Sequence, residues 1–194
     1  MRIWELLPCF LGGNGHGHMP IAWTGHKIRT LFVCTGNACC SQMAEGWAQA
    51  IHADRIEPFS AGTAPAGLDP RAVQVMAESG IDISWQASKH IYDLLEFHFD
   101  YVITLCDTAR DTCRIFDHLV PVIHAGFIHA GFDDPPALAR TARSPQDVLQ
   151  HFRRVRDEIR EFVAGLPEAL PCSSRACPGR LGSNFRVEQP AASL

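Results

Sequence analysis

Three cysteines, Cys34, Cys39 and Cys40, fall within seven positions of the stretch TLFVCTGNACCSQMAEGWAQA (residues 30–50), alongside Gly36 and Ser41. A short turn that leads into a helix aims several backbone N–H groups at one point, and the helix end adds partial positive charge, so the turn is a nest for a tetrahedral oxyanion. A thiol at the first position of that nest, Cys34, is expected to have its thiolate favoured and its pKa lowered, which makes a nucleophile near neutral pH. Read alone, the same residue also fits a structural cysteine buried at a strand end. Cys106 and Cys113 stand seven apart in LCDTARDTC. By themselves they fit a packing residue at a strand end and an idle loop thiol as well as they fit redox chemistry. Asp133 and Asp134, followed by Pro135, offer a carboxylic acid that could protonate a leaving oxygen, although an acidic pair in a loop also serves to cap turns.

These residues need elements to position them. Residues 28–33 form a compact apolar run ending in a Gly-containing turn, as in a parallel strand covered on both faces. From Ser41, apolar residues at Met43, Ala44, Trp47, Ala48 and Ile51 mark one helical face. Residues 56–60 read as a second strand running into AGTAPAG. Asp69 then caps a helix with Pro70 at its first position, Val73, Met76 and Ala77 inward and Gly80 as its stop. Ser88 is expected to cap a short helix reaching Leu95, residues 101–105 (YVITL) to form a third strand, and residues 119–124 a fourth. Ser144 and Pro145 open a last helix whose Val148, Phe152, Val155, Ile159 and Phe162 share one side until Gly165 and Pro167. Strands alternating with helices imply an α/β fold, a doubly wound four-stranded parallel sheet flanked by helices. Ligands in such sheets sit at the carboxyl ends of the strands, which puts the turn after the first strand and Cys106 after the third on one rim.

The 194 residues, 46% apolar and 20% charged, suit one domain at about residues 28–167, with a flexible leader at 1–27 and a disordered tail at 168–194. His16 and His18 in the leader read as solvated, Met19 is an alternative start, and Glu5 and Pro8 break any signal-peptide pattern. Seventeen basic and 21 acidic residues give a net charge of −4, which argues against nucleic acid or an anionic membrane as a partner. No apolar run reaches the ~20 residues of a membrane span. The eight cysteines are unevenly clustered, and the pair Cys172 and Cys177 lacks the second pair that a four-thiol zinc site needs. Reduced, cytoplasmic thiols are the expectation.

The segment CTGNACCSQMAEG (residues 34–46) resembles the phosphate-binding loop of the low-molecular-weight tyrosine phosphatase fold, and most closely that of its thioredoxin-coupled arsenate reductases. The likeness runs on through FSAGT (59–63), ITLCD (103–107), Cys113, GFDDP (131–135) and FRRVRDEI (152–159). It implies arsenical resistance chemistry: Cys34 attacks arsenate, Cys106 attacks the adduct and releases arsenite, and Cys113 draws the redox-active disulfide outward for thioredoxin to reduce. Asp134 would be the acid, Asp133 structural, and Ser41 the hydroxyl that supports the nucleophile. Thr35, Gly36, Asn37, Ala38, Cys39 and Cys40 would line the anion, with Asn37 in a left-handed bend, and Cys39 could pair off-pathway with Cys34. Asn37, Glu45 and Ser60 match a potassium site of some members; no other cofactor is implied, and a monomer is expected.

Two departures stand in the loop: Ala38 replaces a serine, and Cys40 replaces the arginine that grips the oxyanion bidentately. A Cys40 thiolate would repel an anion, and Arg110 or Arg114 would have to supply the missing cation. A tandem repeat, HAGFI then HAGFD (124–133), adds five residues just before Asp134 and could displace it. The alternatives are therefore a low-molecular-weight tyrosine phosphatase, which would leave Cys106 and Cys113 unemployed, or a catalytically silent relative that binds arsenite or senses redox state.

Overall fold

The computed structural model describes residues 27–112, 126–166 and 168–170. Four parallel strands, β1 (Ile28–Cys34), β2 (Ile56–Gly62), β3 (Tyr101–Thr104) and β4 (Gly126–His129), lie in the order β2-β1-β3-β4. Helix α1 (Cys40–Ile51) follows β1 and α2 (Pro70–Glu78) follows β2. Residues 107–112, here α3, are helical after β3, and α4 (Pro135–Ala139) and α5 (Pro145–Ala164) follow β4.

The period of two in β1 divides its side chains between two cores. Phe32 and Cys34 join Met43, Trp47, Phe152, Val155, Ile159 and Val163 under α1 and α5. Leu31 and Val33 meet Ile91, Leu94, Phe99, Val102 and Ala109 on the opposite face. With both faces covered, the central strand can be almost wholly apolar. The strand order reverses between β1 and β3, and the crevice past their carboxyl ends is where such sheets hold ligands.

Several local readings shift. The expected strand at 119–124 falls outside the described residues, and the fourth strand of the sheet is Gly126–His129, within the tandem repeat. The inward face of α2 is Ala72, Val75 and Met76, while Ala77 is exposed, because the i, i+3, i+4 row starts one residue earlier than Val73. The helix expected from Ser88 is a 3-10 turn, Ile91–Leu94, capped by His90, whose ring accepts from Tyr92 N while Asp93 accepts from His90 N. Asp69 caps α2 through Arg71 N, and Ser144 caps α5 through Asp147 N, both as expected. The start of the expected tail is ordered: Glu168 meets Arg55 at 2.5 Å and Leu170 packs on the core. The rest of the tail and the leader up to residue 26 lie outside the described residues. No helix among the described residues is long and apolar enough to cross a membrane.

Candidate active site

Residues 35–39 turn the chain from β1 into α1, and every carbonyl from 34 to 38 is taken by a donor outside the turn. Cys34 O accepts from Thr63 N, Thr35 O from Ala64 N, Gly36 O from Ala66 N, and Ala38 O from Asp69 N. Asn37 O accepts from Gln42 Nε2 at 3.0 Å, and Ser88 Oγ donates a second bond to Gly36 O. In a trans peptide the N–H points opposite to the C=O, so fastening the carbonyls outward turns the amides into the cup. Asn37 makes the bend with φ +44°, the left-handed region Asn tolerates. Gly62 lets the turn close: a Cβ there would sit 2.7 Å from Thr35 O and 2.9 Å from Asn37 N.

Cys34 receives the Asn37 N–H at 3.2 Å and has Ser41 Oγ 3.0 Å away. Asn37 Nδ2 donates to Ser41 Oγ and to Ser60 Oγ, each at 2.9 Å, so the Ser41 hydroxyl keeps its own proton for the sulfur. The expected lowering of the Cys34 pKa does not result. Burial pushes the thiol up, and the bonds from Ser41 and Asn37 offset only part of that. Neutral donors compete here with desolvation, and among the described residues no cation assists them. Cys40 is buried too, and burial pushes its thiol well up, so at neutral pH it is an uncharged thiol rather than a repelling thiolate. Its Sγ points to Asp133 O at 3.8 Å. Cys39 is raised by burial and by the Asp69 carboxylate.

Of the two suggested replacement cations, the described one is committed to its own helix. Arg110 lies on α3 paired with Asp107 and Asp111, each at 3.1 Å, and Arg114 lies outside the described residues. Arg154 on α5 spends its guanidinium on Asp133 (2.7 Å) and Glu158 (3.0 Å). Asp133 is thus a structural anchor. Asp134 stands at the N-cap of α4 without using its carboxylate there, and its charge raises the pKa of both Cys39 and Cys40. Across the crevice, Thr35 Oγ1 lies 3.4 Å from Cys106 Sγ, which joins the anion nest to the end of β3. Cys113 lies outside the described residues.

Residues 29–175 match the family of low molecular weight phosphotyrosine protein phosphatases. This chain belongs to that family. It is 44% identical over 142 residues to an arsenate reductase of Bacillus licheniformis, covering 73% of this chain and 96% of that one. It is 45% identical over 128 residues to an arsenate reductase of Bacillus subtilis, covering 66% and 86%. Among solved structures, an arsenate reductase in its phosphate-binding state shares 32% identity at a TM-score of 0.56, over 72% of this chain and 95% of that chain. A low molecular weight protein tyrosine phosphatase from T. tengcongensis shares 27% at a TM-score of 0.56, over 74% and 100%.

Within this phosphatase family member, most polar atoms of the suggested potassium site already have protein partners, although Glu45 Oε2 is buried without a hydrogen bond. Asn37 Oδ1 is occupied by Lys89 N at 2.7 Å and Gln42 Nε2 at 3.1 Å, and Asn37 Nδ2 takes Ser60 Oγ. The Glu45 carboxylate already has a cation, Lys89 Nζ at 3.6 Å, which also donates to Ala87 O at 3.2 Å. Exchanging potassium for sodium at constant ionic strength is therefore expected to leave the melting temperature unchanged. Lys89→Ala, which strands a largely buried carboxylate, is expected to lower it by about 3 °C. A potassium-dependent melting temperature in the parent protein would contradict this assignment. Gln42, Lys89 and Gly62 are support residues that the sequence reading missed. A buried Gln on the apolar face of α1 was the only signal for the first, and the FSAGT glycine the signal for the last.

Proposed function

We propose that this protein reduces arsenate to arsenite in the cytoplasm through a relay of Cys34, Cys106 and Cys113, as a monomer and with thioredoxin as electron donor. The observation that carries the reading is the contact of Cys106 Sγ with the hydroxyl of Thr35, the residue next to Cys34, which supports a second thiol within reach of the first. The similarity to relatives named arsenate reductase supports it.

Cys34 Sγ attacks arsenic within the nest, an As–O bond breaks, and Asp134 protonates the departing oxygen. Cys106 Sγ then attacks Cys34 Sγ. The S–As electron pair leaves with arsenic, which falls from As(V) to As(III), and a Cys34–Cys106 disulfide forms. Cys113 attacks Cys106 and frees Cys34, and a thioredoxin dithiol takes over the oxidation of Cys106–Cys113. A phosphatase needs only the first thiol and the acid.

The test is arsenate-dependent NADPH oxidation coupled through thioredoxin and its reductase. Turnover that vanishes in Cys106→Ser is the expected result. Aryl-phosphate hydrolysis that survives Cys106→Ser, with no arsenate turnover, would instead mark a phosphatase. The raised Cys34 pKa and the uncharged Cys40 favour a second reading, a silent redox-sensing relative, whose mark is no turnover of either substrate. Its arsenite-holding form has less support, since among the described residues no three His, Cys, Asp or Glu side chains are grouped to hold a metal ion.

A further inference from the structure

Cys106 lies between the end of β3 and the start of α3, where a thiol can face the nest or turn to solvent. Its strand side is fixed: Leu105 N donates to Val33 O at 2.8 Å, and Phe132 N donates to Leu105 O at 3.0 Å. On the helix side the neighbour is Asp107, whose side chain is 76% exposed. One group spans the two sides. His129, the last residue of β4 and the register partner of Thr104, has Nδ1 3.0 Å from Thr104 Oγ1 and Nε2 3.3 Å from Asp107 Oδ1. Gly131 leaves room for the ring, since a Cβ there would come within 3.1 Å of Nε2.

We infer that His129 is a positioning residue for Cys106, clamping α3 to the sheet through Asp107 so that the sulfur stays beside Thr35 and Cys34. The other partner of Asp107, Arg110, is three residues along the same helix and travels with it. His129 is the partner that crosses between elements. The contact survives either charge state of the ring. A neutral imidazole accepts from Thr104 and presents its Nε2 proton to the carboxylate, while a protonated one donates from both nitrogens as the Thr104 hydroxyl turns to Ile128 O at 3.5 Å. Because Asp107 is at the surface, the clamp can open without exposing core.

This inference rests on the relay reading of Cys106, and the test separates the two. Alkylation by iodoacetamide is followed at each cysteine of the full chain by peptide mass mapping. Asp107→Ala and His129→Phe are each expected to speed modification of Cys106 about fivefold, as loss of one exposed ion pair allows, while the Cys34 rate stays put. Asp107→Asn, which keeps an acceptor, should fall between, and Arg110→Ala should match the parent. Equal Cys106 rates in the parent, Asp107→Ala and His129→Phe overturn the clamp, and the surface position of Asp107 keeps that arm free of folding defects. In a Cys113→Ser background, diamide accepts two electrons and two protons from Cys34 and Cys106 and becomes the hydrazine as the S–S bond forms. Slower disulfide formation in Asp107→Ala supports the clamp. Faster alkylation without any Cys34–Cys106 disulfide in the parent background keeps the clamp and sinks the relay.

Discussion

Cys40→Arg is expected to raise kcat/KM for arsenate several hundredfold, within the ~10²–10³ commonly lost when a single oxyanion donor is removed. The nest has its amides in place, because the carbonyls of residues 34–38 are fastened outward, but every donor to Cys34 among the described residues is neutral. A planar guanidinium would supply two parallel N–H bonds to the anion and a full charge. That charge also acts before substrate arrives. Burial holds the Cys34 thiol above its ordinary range, and a cation at position 40 opposes burial by favouring the thiolate. The gain in turnover should therefore come with a downward move of the pH at which Cys34 is half alkylated. Cys40→Ser removes the thiol without adding charge and should gain nothing. An arginine variant with parental turnover and parental Cys34 reactivity would show that the grip was never the limiting defect.

The parts of this site legible in sequence are those that local pattern controls. The switch from period two to period 3.6 around residue 34 places β1, the turn and α1, and Asn37 advertises its own left-handed bend. Asp69 and Ser144 announce their helices because capping is a contact across three residues or fewer. What failed depends on distance or on a balance of opposed effects. Lys89 reaches Asn37 across 52 residues and Gln42 reaches Ala87 across 45, and no spacing rule anticipates either. The strand Gly126–His129 went unread, because it is four residues long and its repeat obscures which unit pairs with β3. The sign of the Cys34 shift required knowing that burial exceeds the pull of two neutral hydrogen bonds.

That same imbalance makes the protein alkali-labile. Burial raises the pKa of Cys34, Cys39 and Cys40 alike above the ordinary value of 9.0. A thiol whose folded pKa is raised keeps its proton in the fold and releases it on unfolding. Its contribution is intact below the unfolded pKa and is lost as pH climbs from there toward the folded pKa. Each such thiol therefore makes the fold less stable as pH rises past that threshold, and the three act in the same direction. Because total stability is only about 5–15 kcal/mol, that loss should be measurable above pH 9. Urea midpoints measured from pH 8 to 10.5 should be nearly level at first and then fall steeply. Cys39→Ala and Cys40→Ala should each make the slope shallower, and Cys40→Arg should do so at least as much as Cys40→Ala, because its guanidinium also lowers the Cys34 pKa. Lysines and tyrosines that titrate in the same window are common to all these proteins, so the differences between them isolate the thiols. A parent protein as stable at pH 10.5 as at pH 8 would mean that these sulfurs ionise freely in the fold, and the neutral, unassisted Cys34 inferred from its burial would be wrong.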